Sequence, residues 1–434
     1  MTAPRIAGPW PESLWRATAP FVAPSPRLEG EQRADVAIIG AGFTGLRAAL
    51  ELAQAGSDVV VVDAGDVGWG ASGRNGGQVN PMMPFNGPEQ LRKLLGPQHF
   101  ERLAEASLKS ADDLFDTIAR HGIDCQARQN GWLRVIHSAK AHKAALRDVA
   151  EWRAMGAEFE LVEDEALWAM AGTRAYRSGV VSPRGGAVQP LMLAQGFAEA
   201  ARRHGARIFG QSPVTDLSRA SGGVWEIQTK EGVVRAPMVI VATNAYSSDL
   251  VPGLRRSLLP ATPVQIASEP LDDSVINEIL PQGHTISDSR RVIMFGRREP
   301  DNRMVYGSMG RLVKPDVFAG FDWLRRDAER VYPMLKGVRW EYRWGGHIAL
   351  TDDHLPHLHE PQPGLLAGFG YNGRGVALSS VMGRVLAERA LGAPAESLAF
   401  PVTPIRPVPW RGIKRLGMGP AIWTMKMMDY LETR

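Results

Sequence analysis

One stretch, Asp35 to Asp63 (DVAIIGAGFTGLRAALELAQAGSDVVVVD), constrains the fold more than any other. The apolar run Val36 to Ile39 reads as a buried parallel strand. Gly40, Gly42 and Gly45 follow in the G-x-G-x-x-G spacing, with Phe43 and Thr44 between them. Leu46, Ala49, Leu50 and Ala53 recur at helical spacing, and Gly56 stands where a helix C-cap belongs. A second apolar run, Val59 to Val62, ends on Asp63 and Ala64. Each glycine has a physical task. Gly40 permits the tight turn, Gly42 lets a pyrophosphate approach the backbone, and Gly45 lets helix and strand pack closely. The helix N-terminus attracts phosphate, and Asp63 can accept hydrogen bonds from a ribose. Strand, turn, helix, strand and acid fall in order, which points to dinucleotide binding in an α/β fold.

Composition narrows the rest. A chain of 434 residues can bury a large core and divide into two domains. Its 44% hydrophobic and 22% charged residues are ordinary for a globular protein. No apolar run reaches the length of a membrane span, and MTAPRIAGPWPESLW has no apolar signal region. The one cysteine, Cys125, precludes an internal disulfide and fits a cytoplasmic protein. The net charge of +4 is carried by the tail from Val402 to Arg434, which has six basic and two acidic residues. The remainder is balanced, so no nucleic-acid face is expected.

Prolines crowd residues 1–34 and argue against a helix there; with Trp10, Trp15 and Phe21 the segment reads as an arm laid across the surface. The loop Gly65 to Pro81 is rich in glycine, a backbone suited to close approach to a ligand. Helical patterns are expected from Gly87 to about Arg120 and over 139–155, with strands near Trp132 to Ile136. Pro190 begins a helix that ends near Arg203, and strands are expected at Ala206 to Phe209 and at Val214. A hairpin turns at Glu231-Gly232, and Met238 to Ala242 suits a central strand. Further strands fall at 264–267, 292–295 and 304–306, with helices near 322–332, from Val376 to about Leu391, and from Ala421 to Leu431.

Three later segments carry a family resemblance. ASGRNGGQ (Ala71 to Gln78), ATNAY (Ala242 to Tyr246) and GYNGRGV (Gly370 to Val376) together resemble the D-amino-acid-oxidase-like FAD-dependent oxidoreductases, and look most like the γ-glutamylputrescine oxidase branch. The resemblance implies an α/β (α+β) fold. A Rossmann-like FAD-binding domain would be built from 35–85, 175–254 and 340–400. A substrate domain with an antiparallel sheet would use 86–174 and 255–339, leaving an arm at 1–34 and a basic, apolar tail at 401–434. It further implies that Ala71, Ser72, Arg74, Asn75, Gly76, Gly77 and Gln78 run past the pyrophosphate toward the flavin ring. Val214 would meet adenine, and Ala242 and Thr243 would lie beside the cofactor. Gly370, Asn372, Gly373, Gly375 and Val376 would face the pyrimidine end. Some relatives attach FAD through a late cysteine or a histidine near the second glycine-rich loop. Here Cys125 lies elsewhere and Asn75 replaces the histidine, so non-covalent FAD is expected.

Candidate catalytic residues are fewer. Arg374 offers a full positive charge to reduced flavin, or else is an exposed loop arginine. His347 sits on the segment that by resemblance nears the flavin, where it would orient substrate or take the amine proton; a core histidine is the plainer reading. Tyr306 falls on a substrate-domain strand, where core packing competes with a role at the site. Asp352, Asp353, His354, His357 and His359 match a structural strand and turn, and no metal is expected. The tail is expected to pack back on the protein rather than on a membrane. The implied activity is oxidation of a small amine or amino acid by hydride transfer to flavin N5, with dioxygen or another acceptor reoxidising the cofactor. A γ-glutamylated amine is favoured. Oxidation or dehydrogenation of an N-alkyl, imino or D-amino acid is the alternative, and a flavin-binding protein without turnover is the non-enzyme reading.

Overall fold

Parallel strand Val36–Ile39 lies inside a six-stranded sheet, and its position follows from its sequence: all four residues are buried. Across this sheet the order is His357–Gln362, Leu365–Phe369, Met238–Val241, Val36–Ile39, Val59–Val62 and Arg207–Phe209. All neighbours run parallel except the edge strand His357–Gln362. Strands apolar on both faces need cover on both sides. Helix Phe43–Gln54 covers one side with Pro190–Arg203 and Gly375–Ala390, all in one core with Leu46, Leu50, Phe197, Val381 and Met382. On the other side a four-stranded sheet packs, in the order Gly30–Arg33, Gly232–Ala236, Trp225–Gln228 and Asp216–Arg219.

The second large sheet has eight strands and is mostly antiparallel. Its order is Trp340–Gly345, Pro263–Ser268, Met304–Met309, Met294–Arg298, Thr285–Asp288, Trp132–Ile136, Ser178–Ser182 and Glu160–Glu163. Strand alternation gives it two unlike faces. The outer face packs Ile266, Tyr306, Leu133 and Val135 against helix Phe321–Val331. The inner face holds a continuous row, Arg134–Ser287–Phe295–Gly307–Gln265–Trp344, each pair in register. Antiparallel strands in this second unit are as the resemblance implied.

Several details depart from the sequence reading. Prolines bound a helix in the arm rather than exclude one: Leu14–Thr18 forms a single turn, capped by Ser13 Oγ. Gly30–Arg33, assigned to that arm, is a strand paired with Gly232–Ala236. Ser178–Ser182 and Trp340–Gly345, placed with the cofactor segments, pair into the eight-stranded sheet instead. Helices Pro88–Leu108 and Ser110–His121, assigned to the substrate segments, bury Leu91, Leu103 and Leu114 in the core beside Leu46. Val214 is buried but lies just before strand Asp216–Arg219. The computed structural model on which this description rests covers residues 8–83, 85–314 and 317–432.

The tail forms a longer helix than its apolar pattern suggested, Arg411–Glu432. It docks through polar groups, while Trp423, Met427 and Leu431 stay exposed. Arg411 donates to the Leu258 carbonyl, Lys414 pairs with Asp352, and Lys426 lies over the Trp323 ring. Buried Asp429 accepts from the Arg291 and Val292 amides and from the Arg291 guanidinium at 2.8 Å. No helix among the described residues is long and apolar enough to cross a membrane. Asp429→Ala strands two backbone donors and is expected to cost about 1–3 kcal/mol of stability. Urea denaturation together with limited proteolysis of the tail measures this, and parental behaviour in both would mean the latch contributes nothing.

Candidate active site

The turn after strand Val36–Ile39 is shaped by what surrounds its glycines. Gly40 has φ +115°, and a Cβ there would stand 2.9 Å from the Ala242 carbonyl oxygen. A Cβ at Gly45 would run into the Gly40 carbonyl, so helix Phe43–Gln54 can sit this close only with glycine. Ser72 reaches back over the turn: its hydroxyl accepts the Phe43 amide at 2.9 Å, capping the helix. Thr44 bonds the Tyr371 hydroxyl at 2.6 Å and ties the helix start to the GYNGRGV loop. Asp63 grips the backbone on both sides. Its carboxylate oxygens accept the Ala41 and Gly65 amides, each at 2.7 Å, and burial pushes its pKa up. Each oxygen retains a lone pair for a ribose hydroxyl. Ala64 follows on this turn, and Ala242 donates its amide to the Ile39 carbonyl beside Thr243.

The second glycine-rich loop lies directly on the inner face of the eight-stranded sheet. Asn75 shapes it, donating to the Ala71 and Ser72 carbonyls and accepting the Gly77 amide at 2.7 Å. The Arg74 carbonyl accepts from Gln265 at 2.7 Å and from Trp344 at 3.0 Å. Gly76 lies against the Phe295 ring, Arg297 binds the Gly77 carbonyl at 2.8 Å, and Gln78 donates to the Ile286 and Gly296 carbonyls. The loop therefore occupies the seam between the two sheets.

The third segment closes the seam. Gly370 and Gly373 have φ of +84° and +92°, and Asn372 adopts +50° while holding Thr351 and the Gly370 carbonyl. A Cβ at Gly373 would meet only Ile348, at 3.9 Å, so the backbone there borders open space. Gly375 and Val376 open helix Gly375–Ala390, whose N-terminus carries partial positive charge. Arg374 is not an exposed loop residue. It is 9% exposed, with its guanidinium 4.3 Å from the centre of the Trp132 ring.

A cluster the sequence had not assigned gathers beside this seam. The Arg74 guanidinium sits 4.6 Å from the Trp69 ring, Trp69 meets Tyr246 edge-on, and Tyr246 faces His347 at 5.9 Å. His347 donates its amide to the Tyr246 hydroxyl, and its Nδ1 lies 3.2 Å from Thr262 Oγ1. Tyr246 was in plain view as the last residue of ATNAY. Trp69 and Gln265 gave no sequence signal.

Tyr306 needs correction as a catalytic candidate. Register pairs Tyr306 with Ile266 and Gly296, whereas Gly307 pairs with Gln265 and Phe295. Alternation therefore turns Tyr306 to the outer face, where its hydroxyl donates to Asp327 at 2.8 Å. Among the histidines after Thr351, His357 pairs with Asp353, and His359 is buried on the Thr403 carbonyl, its pKa pushed down to about 4.

Residues 35–389 match the family model described as FAD dependent oxidoreductase (DAO). The chain is 33% identical over 379 residues to the Haemophilus influenzae protein named "Probable oxidoreductase OrdL", covering 85% of each. It is 31% identical over 431 residues to gamma-glutamylputrescine oxidoreductase of Escherichia coli, covering 95% of this chain and 97% of that one. Glycine oxidase from Geobacillus kaustophilus shares the fold, with a TM-score of 0.71 at 22% identity over 87% of this chain and 99% of the other. The residues present fit FAD. The Gly40–Gly45 turn leaves backbone for a pyrophosphate, and the backbone at Gly373 borders open space. Buried Gln265 Oε1 has no donor among the described residues and suits a ligand N–H. Asp63→Ala removes the ribose acceptor and strands two amides. FAD should bind roughly 10- to 100-fold more weakly, the scale of a charged hydrogen bond. Titration of the apoprotein with FAD tests this; unchanged affinity would place the ribose elsewhere.

Proposed function

The chain belongs to the D-amino-acid-oxidase-like family of FAD-dependent oxidoreductases, and on that premise we propose that it oxidises a primary or secondary amine, with a γ-glutamylated amine as the favoured substrate. One observation carries the substrate class: likeness to gamma-glutamylputrescine oxidoreductase runs over nearly the whole of both chains. Gly40, Gly42, Ser72, Asp63, Val214 and Ala242 would hold the nucleotide half of FAD, and Arg74 to Gln78 with Gly370, Asn372, Gly373, Gly375 and Val376 the flavin half. Bound there, FAD supplies a two-electron acceptor for the substrate Cα–H bond, and dioxygen takes the electrons on as hydrogen peroxide.

The protein's own share is binding, orientation and proton handling. An amine reacts as the neutral base, so a group must take a proton from the ammonium that arrives at neutral pH. His347, beside Tyr246 and with Nδ1 3.2 Å from Thr262 Oγ1, would be the group that takes it. Tyr246 fixes the ring's position through the His347 amide, and Trp69 with Tyr246 supplies aromatic surface for an alkyl amine. Loss of the proton and then of the Cα hydrogen as hydride leaves a protonated imine, which water hydrolyses to an aldehyde and ammonia or an amine. FAD is held without a covalent bond: Cys125 is buried with its thiol pushed up to about 12, and the Asn75 amide is spent on the loop.

Screening amines and amino acids, with peroxide detection beside a dye acceptor, tests the reading. γ-Glutamylated amines should give the highest kcat/KM and release peroxide. Turnover of α-amino acids alone, or of nothing, overturns it. His347→Gln should keep its FAD while slowing anaerobic flavin reduction on the order of 100-fold. A parental rate in that variant assigns His347 to packing.

A further inference from the structure

Several arginines withdrawn from solvent are matched by carboxylates. Arg47 holds Glu51 and Asp113, Arg290 holds Asp288 and Asp327, and Arg297 holds Glu299. Arg134 and Arg374 are different. Neither guanidinium makes a hydrogen bond or ion pair with any described residue, although Arg374 is 9% exposed and Arg134 lies on the inner face of the eight-stranded sheet. Burial pushes Arg374 down to about 9, with the like charge of Arg134 adding to the effect. Arg134 is also lowered by burial, and Asp148 and Asp288 oppose this only through space. A cation drawn from water without a hydrogen-bonded partner is costly, and half-buried Arg134, on the strand that carries Trp132, shares this space with buried Arg374, so the two mark a place for an anion. The Trp132 ring beneath Arg374 and the N-terminus of helix Gly375–Ala390 complete the setting.

We propose that Arg134 and Arg374 bind a carboxylate of the substrate at the end remote from the amine that is oxidised. The proposal rests on the amine-oxidation reading and narrows its substrate class. Register gives the reach. Arg134 pairs with Ser287 and Ser287 with Phe295, the ring on which the Gly76 loop rests. Two strand spacings separate them, roughly 10 Å. An α-amino acid, whose amine and carboxylate share one carbon, bridges that backbone spacing only if the Arg134 side chain reaches back along the row toward Phe295. An amine carrying an amino-acid head several bonds away can span it, as a γ-glutamyl diamine does. Both sides of the seam contribute, Arg374 from the GYNGRGV loop and Arg134 from the sheet, so the subsite forms only where the two units meet.

The test uses FAD-loaded enzyme and three amines: N-(γ-glutamyl)-1,4-diaminobutane, the same molecule lacking its carboxylate, and 1,4-diaminobutane. The parent should prefer the carboxylated amine, mainly through KM. Arg134→Gln should raise that KM roughly 10- to 100-fold, the range of a charged hydrogen bond, with Arg134→Lys in between. FAD content and reduction potential should stay at parental values. Glutarate, followed by tryptophan fluorescence, should bind the parent at least tenfold tighter than Arg134→Gln, a readout independent of turnover. Amine oxidation with no preference for the carboxylate overturns the subsite and leaves the amine reading standing. Glutarate binding with no amine turned over upholds the anion site and removes the amine reading. A lowered potential in Arg374→Ala with unchanged preference assigns that guanidinium to the flavin and overturns the pair.

Discussion

The structure depends on one buried cation. Arg297 projects from the eight-stranded sheet, pairs with Glu299 and binds the carbonyls of Gly77 and Val188. Its guanidinium lies 4.8 Å from the Trp15 ring of the N-terminal arm, and the Trp15 indole donates to the Asn75 carbonyl at 2.7 Å. One side chain thereby joins sheet, glycine loop and arm. A neutral residue there would leave buried Glu299 with only Arg128, at 3.7 Å, and take from the Val188 carbonyl its side-chain donor, costs that exceed any ordinary surface contact. This polar clamp acts beside apolar packing across the seam, where Trp132 and Val180 share a core with Val79 and Val188, and it fixes the loop's register as well as its proximity.

Glycine makes the clamp possible. Gly76 and Gly307 face each other across the Phe295 ring, and a Cβ at either would press on it. A Cβ at Gly77 would collide with the Arg297 guanidinium and the Val188 carbonyl. At Gly76 and Gly77 the loop can approach the sheet this closely only because no Cβ intervenes. Its cost is conformational entropy, which the Asn75 bonds and the Gln265 and Trp344 contacts to the Arg74 carbonyl offset.

What was legible in the chain was local. Strand Val36–Ile39, helix Phe43–Gln54 and strand Val59–Val62 are consecutive, and periodicity, glycine spacing and a terminal acid place all three within a residue or two. The helix beginning at Pro190 and the one after the GYNGRGV loop follow for the same reason. The arm's helix was missed because prolines were read as breakers throughout, although Pro11 and Pro20 stand outside the turn capped by Ser13. Tyr306 was misplaced because a strand's pattern shows which residues alternate but not which face meets the site. The tail's latch was missed because its apolar residues drew attention from Asp429.

Cofactor binding and substrate choice are written differently in this chain. The nucleotide half of the site is made of residues adjacent in sequence, whose spacing alone encodes a turn and a helix start. The inner-face row from Arg134 to Gln265 brings together positions separated by most of the substrate segment, through strands that pair out of order. Each member, alone in sequence, is an arginine, a serine, a phenylalanine, a glycine or a glutamine on an ordinary strand. Only the pairing register sets them side by side, leaves Gln265 Oε1 facing the loop, and puts Arg134 two strands from Phe295. Substrate length is thus a property of sheet order, and a one-residue slip of strand Thr285–Asp288 would turn Ser287 to the outer face and break the row while leaving every cofactor motif intact.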